Sequence, residues 1–234
     1  MTDSTTKGRT AEGDYPLTSS NRPSRHPERA RYDEDTVHRT LDEGLIAHVG
    51  TVVDGRPAVL PMLYVRVGRA LYLHGSTGMG VARRAVRRPS VRVAVEVTVV
   101  DELVLARSTF NHSANYRSVV VQGDAVLVRD GDRKAELLAA LVERLVPGRS
   151  AHARPPAPEE LRQTAVLEVP LENVSAKVRS GGPLDEPDDL GRDCWAGVRP
   201  VVTRWGEPLP SADLRPGIEL PPYLVAGGPL ALPV

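Results

Sequence analysis

Residues 45–76 read LIAHVGTVVDGRPAVLPMLYVRVGRALYLHGS. Three runs rich in β-branched and aromatic residues stand in series, at 45–53, 56–67 and 70–76. That composition suits a pleated, half-buried surface. Asp54-Gly55 separates the first two runs, and both residues tolerate the positive φ that a two-residue hairpin turn demands. Gly68 marks a second short turn. Strands joined by turns this tight run antiparallel, so the stretch sets an antiparallel β meander at the heart of the chain.

The flanking sequence extends the pattern. Upstream, Asp33 is placed to cap a helix, Val37 and Leu41 share its buried face, and Gly44 ends it. Downstream, a short helix is expected over about 79–88, stopped by Pro89. SVRVAVEVTVV (90–100) alternates strictly, with Val91, Val93, Val95, Val97 and Val99 on one face. After a break at Asp101-Glu102 the chain is expected to return as LVLARS, loop through TFNHSAN, and form a long strand over 116–129. Residues 132–148 read as the one long helix, with Leu137, Leu138, Leu141 and Leu145 as its apolar stripe. RPPAP (154–158) is expected as a linker, 164–180 as one or two strands and 194–205 as a last strand.

Six to eight short antiparallel strands with two or three helices predict a mainly β fold: a closed barrel with helical additions. A doubly wound sheet is excluded because long helices do not alternate with the strands. The expected organisation is a disordered tail over 1–30, a barrel domain over 31–207 and a proline-rich C-terminal extension over 208–234.

Composition narrows the function classes. Among 234 residues, 30 Lys+Arg balance 30 Asp+Glu, which disfavours a non-specific nucleic-acid binder. The single cysteine, Cys194, offers neither an internal disulfide nor a zinc cluster. The N-terminus lacks the apolar core of a signal peptide, and no apolar run reaches the ~18 residues of a membrane span. A soluble, cytoplasmic protein is expected.

The chemistry concentrates where the third run ends, at LYLHGSTGMG (71–80), directly before VARRAVRR. Backbone amides of a glycine-rich turn that opens a helix attract anions, and Ser76 and Thr77 add hydroxyl donors. Arg83, Arg84, Arg87 and Arg88 lie on one broad helix face, where a guanidinium can grip a phosphate with two donors. A plain turn followed by a solvated basic face explains the same residues equally well, and the spacing leaves both open. There is no Gly-Lys-Ser/Thr ending, so this is no P-loop. GMGVAR lacks the third glycine of a dinucleotide fingerprint.

The six histidines show no metal-ligand spacing, and no G-x-S-x-G elbow exists. His48 reads as a barrel-wall residue. HSANYRS (112–118) gathers polar groups at a strand start, serving either a site or an ordinary turn.

Several stretches together resemble the pyridoxamine 5′-phosphate oxidase-related FMN-binding split-barrel proteins, within the branch that includes the nitroimidazole-resistance proteins. They are RHPERARYDEDTV, the whole of LDEGLIAHVGTVVDGRPAVLPMLYVRVGRALYLHGSTG, LVLARSTFNHSANYRSVVVQGDA, VSAKVRSGG and WAGVRPV. The resemblance spans roughly residues 25–223. It implies a six-stranded antiparallel split barrel that forms a homodimer, with FMN at the subunit interface and a small-molecule substrate.

Carried onto this chain, the resemblance places Pro61, Met62, Leu63 and Tyr64 beside the flavin ring. His74, Gly75, Ser76, Thr77 and Gly78 hold the phosphate, with Arg83 assisting. Tyr116, Arg117 and Ser118 face the site, and Lys177 and Trp195 lie near the flavin. The oxidases themselves place an Arg-Lys pair just after the phosphate strand, whereas this chain reads TGMGVARR. The resemblance therefore carries FMN binding and an FMN-dependent oxidoreductase, not vitamin B6 oxidation. It also carries an alternative, a non-catalytic or sensing module for flavin, deazaflavin or haem.

Overall fold

The computed structural model describes residues 14–225. In chain order its elements are β1 (Ala30–Arg31), α1 (Glu34–Glu43), β2 (Ile46–Val53), β3 (Arg56–Val67), β4 (Ala70–Ser76), α2 (Gly80–Arg87), β5 (Val91–Leu105) and β6 (Ser113–Leu127). Then follow α3 (Gly131–Leu145), α4 (Arg149–His152), α5 (Pro158–Gln163), β7 (Thr164–Pro170), β8 (Val174–Arg179) and β9 (Gly197–Pro200).

The ladders close on themselves. β6 pairs β7, β7 pairs β4, β4 pairs β3, β3 pairs β2, β2 pairs β5, and β5 returns to β6, all antiparallel. This is the expected six-stranded barrel. β8, β1 and β9 extend it at its edges. The hairpin turn behaves as its sequence requires, with φ of 50° at Asp54 and 76° at Gly55.

Strict alternation puts Val91, Val93, Val95 and Val97 in the core against Val119 and Val121 of β6 and Ala47 and Val49 of β2. Asp101-Glu102 does not interrupt the strand. A register shift between Val100 and Glu102 absorbs it as a bulge, so β5 runs on to Leu105.

α1 plugs one end of the barrel. Asp33 caps it by accepting from the Thr36 amide at 2.8 Å, and Val37 and Leu41 are fully buried. Its last carbonyls have no intrahelical donors. Arg144 of α3 and the Tyr64 hydroxyl supply them, donating to the Leu41 and Gly44 carbonyls. The same guanidinium lies 4.5 Å from the Tyr64 ring centroid, a cation–π contact. Leu137 and Leu141 bury the α3 stripe against the second cluster, around Val65, Tyr72 and Val166.

Three further expectations change. Residues 14–29 are laid against the barrel instead of hanging as a tail. Tyr15 is fully buried, its hydroxyl 2.7 Å from His38 Nε2 and its ring under the Arg69 guanidinium. Asn21 is buried and donates to the Pro16 and Val174 carbonyls. A mainly polar segment docks because one aromatic ring and one amide find complete sets of partners. Residues 1–13 lie outside the described residues. The linker is shorter than expected, because Pro158 and the acidic pair Glu159-Glu160 open the short helix α5. The last strand is confined to 197–200, and residues 201–220 are exposed and irregular, with turns at 212–213 and 216–217. Among the described residues no helix is long and apolar enough to cross a membrane.

Replacing Arg144 by Met keeps the stem but removes the donors for the α1 carbonyls. It should cost about 2 kcal/mol, seen as a lower urea midpoint with an unchanged slope.

Candidate functional site

The barrel is split between β3 and β4. Residues 56–63 of β3 pair only with β2, and pairing with β4 begins at Tyr64 opposite Leu73. Beyond Leu73, His74, Gly75 and Ser76 of β4 pair only with β7. One edge of each strand is therefore without a ladder partner among the described residues, and the two edges diverge. Met62 reaches across the base of the gap, its Cε 3.3 Å from where a Cβ on Gly75 would stand. That Cβ would also collide with the Met79 side chain, which folds back over Gly75.

The turn at the end of β4 is tightly bonded. The Thr77 amide and hydroxyl both donate to the Gln163 carbonyl, at 3.0 and 3.2 Å. The Gly78 amide donates to Ser76 Oγ at 3.1 Å, and the Met79 amide to the Ser76 carbonyl at 3.1 Å. Thr77 and Gly78 thus shape the turn and have no donor left over. The anion-binding capacity lies one step further on. α2 has no side-chain cap, and the amides of Gly80, Val81 and Ala82 make no hydrogen bond to any described residue. Those amides carry the positive end of the helix. Ser76 keeps its hydroxyl proton, and the exposed Arg83 has no ion-pair partner among the described residues. Arg84 is differently employed, tying α2 to the β2–β3 hairpin through the Val52 carbonyl and Asp54.

His74 sits beside the gap, half-buried and without a hydrogen-bond partner among the described residues. Burial alone pushes its pKa below the ordinary value of 6.5, so the ring is neutral at pH 7.

A second surface lies on the outer face of the sheet. Cross-strand register aligns Pro61, His48, Glu96, Val120 and Ser175 in one row, Gly50, Ala94 and Gln122 in the next, and Thr98, Ser118 and Lys177 in a third. Directly opposed residues share a face, and most of these are small. The result is a flat floor. A cavity of about 1000 Å³ opens over its Gly50–Ala94 end, rimmed by Arg84, Arg88 and Arg92. A smaller one of about 230 Å³ lies over Ser118, Ser175 and Lys177, beneath Arg22 and Pro23.

The expected site residues separate into groups. His74, Gly75, Ser76, Thr77 and Gly78 follow one another at the end of β4 along the gap, and Arg83 stands exposed one turn into α2. Met62 and Tyr64 turn into the core, so of the 61–64 segment only backbone and the outward Pro61 and Leu63 face away from it. The buried Tyr64 hydroxyl has its pKa raised by burial and serves α1. Ser118 and Lys177 stand on the outer floor, where Lys177 also donates to the Arg25 carbonyl at 2.9 Å. Arg117 is held by Asp101 at 2.7 Å and Glu43 at 2.5 Å, which raise its pKa and neutralise its charge. Tyr116 lies half-buried beside it. Trp195 is exposed and packs against Gly197, where a Cβ would strike the ring. The free amides of 80–82 are the contribution that residue types could not announce, because backbone donors carry no letter in a sequence.

Comparison with known proteins decides the lineage. The family model described as pyridoxamine 5′-phosphate oxidase matches residues 33–178. The chain belongs to that family. Its structure is similar to the flavocytochrome Anf3 from Azotobacter vinelandii, with 34% identity over 88% of this chain and 95% of that one, at a TM-score of 0.82. It is similar to the FAD and heme binding protein from Mycobacterium smegmatis, with 35% identity over 83% and 95% of the two chains, at a TM-score of 0.78. A putative 5-nitroimidazole antibiotic resistance protein from Bacteroides thetaiotaomicron shares the fold, at 19% identity, 64% and 86% coverage and a TM-score of 0.53. No curated protein matches the chain.

His74 and His38 both have pKa values lowered chiefly by burial. The unfolded chain therefore binds protons first as pH falls below about 6.5, and stability drops through the window between that value and the lower folded pKa. His74→Gln should flatten part of that loss, measured as the change in unfolding free energy between pH 7 and pH 5.

Proposed function

We propose that this protein is a flavin-binding redox protein. One convergence supports the reading. Two proteins sharing a third of their residues with this chain are named as carriers of flavin and haem, and this chain sets an unpaired strand edge beside an uncapped helix terminus.

The residues fit a flavin. The amides of Gly80, Val81 and Ala82, the Ser76 hydroxyl and the Arg83 guanidinium form a donor set for its terminal phosphate. The free edge of β3 at 60–63 offers backbone donors and acceptors to the polar rim of a planar ring, and Met62 and Met79 offer an apolar wall. A bound flavin supplies the hydride or electron transfer. The chain's own part is to fix the phosphate, to orient the ring along β3 and to keep water from its buried edge. His74, held neutral, presents one protonated and one free ring nitrogen there.

FMN and FAD share the phosphate on the ribityl chain, so this donor set serves either. On this reading the protein is a homodimeric, cytoplasmic oxidoreductase of a small molecule, with flavin at the subunit interface.

A haem reading is favoured by one further arrangement. His48 Nδ1 lies 3.4 Å from Glu96 Oε2 on the flat outer floor. A carboxylate this near one ring nitrogen favours a proton there and leaves the other nitrogen for a metal. His48 would hold the iron, with Gly50 and Ala94 allowing a macrocycle close approach.

Mass spectrometry of the ligand released from the purified protein should find FMN or FAD, with absorbance near ~450 nm before release. A protein without yellow colour that takes up neither flavin would overturn the reading. Arg83→Ala should weaken flavin binding by about tenfold, the loss of one charge-assisted phosphate contact, measured by fluorescence titration. His48→Ala should abolish a haem Soret band and leave flavin uptake unchanged.

A further inference from the structure

Residues 20–23 of the docked N-terminal segment roof a cleft of about 230 Å³ on the outer face of β6 and β8. Its floor is Ser118, Val120, Gln122, Ser175 and Lys177. The lining holds two cations, Arg22 from the roof and Lys177 from the floor, and no carboxylate. Its donors are largely unspent. The Lys177 ammonium has three protons to donate and gives one to the Arg25 carbonyl at 2.9 Å. Neither Lys177 nor Arg22 forms an ion pair with a described residue, and the hydroxyls of Ser118 and Ser175 make no hydrogen bond to one. Gln122 is held by its acceptor end. Its Oε1 accepts from the Asn173 side chain at 3.2 Å, and Asn173 is bonded in turn to Thr18 and Ser20 of the segment. The Nε2 protons of Gln122 are left over.

The surrounding carboxylates do not cancel this charge, because each has company of its own. Glu96 stands opposite Val120 on the same face, but it accepts from the Thr98 hydroxyl and lies 3.4 Å from His48 Nδ1. Glu28, further along the segment, is met by His26 and Arg29. Asp124 and Glu172 line the larger cavity, where Arg84, Arg88 and Arg92 outnumber them. The cleft also has an apolar part, Val120 in the floor and Pro23 in the roof. A fully hydrated oxoanion gains nothing from those two side chains, whereas a hydrocarbon tail gains by leaving water.

We infer that the cleft binds a carboxylate carried on a short apolar body. Lys177 and Arg22 neutralise the carboxylate with charge-assisted bonds, the hydroxyls of Ser118 and Ser175 complete its shell, and the tail lies between Val120 and Pro23. The volume falls below the roughly 300–1,000 Å³ of ordinary ligand pockets, so the group is a small acid or one arm of a larger ligand. Two molecules present this chemistry. One is a free short-chain acid. The other is a haem seated at His48, whose row on the floor runs through Val120 to Ser175 and would lead a propionate arm into the cleft. Roof and floor both touch the ligand, so binding holds the segment against the sheet. The cleft shares no residue with the donor set proposed for the flavin phosphate, and only the haem source rests on the haem reading.

The test uses the full chain stripped of cofactor, titrated calorimetrically with butyrate and with inorganic phosphate. Butyrate should bind at least about tenfold more tightly than phosphate and should slow tryptic cleavage after Arg25. Lys177→Met should weaken butyrate at least about tenfold and remove that protection. Arg22→Gln, at an exposed position, should weaken it several-fold and covers the case in which the lysine variant misfolds. A second arm compares haemin with its dimethyl ester. If the propionate is the source, esterification should weaken uptake at least about tenfold in the wild type and have no effect in Lys177→Met. Butyrate binding that depends on Lys177 and Arg22 supports a free acid, and ester-sensitive haemin uptake that depends on them supports the propionate. A protein that takes up no haemin at all fails the haem reading and leaves butyrate to decide. Phosphate binding tighter than butyrate, or neither carboxylate responding to Lys177 and Arg22, would overturn the site.

Discussion

A strand in a sheet has two edges, and β3 cannot keep a neighbour on both along its whole length. It follows β2 from Val53 opposite Arg56 to Ile46 opposite Leu63, and only then takes β4 on its other side. Strand twist in a six-stranded barrel drives this divergence. The gap it opens is where the unpaired backbone groups of the barrel collect, and the turn, the helix terminus and His74 are all arranged around it.

The neighbouring charges show why geometry has to be separated from composition. Four arginines of α2 look equivalent in sequence. Arg84 is committed to a carbonyl and a carboxylate of the hairpin, whereas Arg83 is free to meet an anion. Arg117 resembles a site cation until Asp101 and Glu43 are seen to saturate it. The hydroxyls of the turn divide the same way, since Thr77 donates inward while Ser76 accepts from Gly78 and retains its own proton. A charge spent on the fold is not available to a ligand.

Much of the barrel was legible because its signals are local. Asp54-Gly55 can only be a primed turn between such runs, and the valine alternation of β5 names its buried face residue by residue. The His-Gly-Ser-Thr-Gly turn was likewise readable as a strand-to-helix join. What escaped were effects set by distant partners: the docking of Tyr15 under Arg69, the bulge that carries β5 past two acidic residues, and the inward turn of Met62 and Tyr64. The capping of α1 by Arg144 belongs with them, because a helix C-terminus does not announce which distant guanidinium will reach it.

The docked N-terminal segment has a consequence for how the chain is made. Tyr15 and Asn21 leave the ribosome before any strand of the barrel, but Asn21 bonds the Val174 carbonyl and Thr18 bonds the Asn173 side chain at 2.8 Å. Those partners are synthesised more than 150 residues later. Such contacts carry a high loop-closure cost. Residues 15–21 therefore cannot complete their contacts until β8 has been made, long after they themselves have appeared.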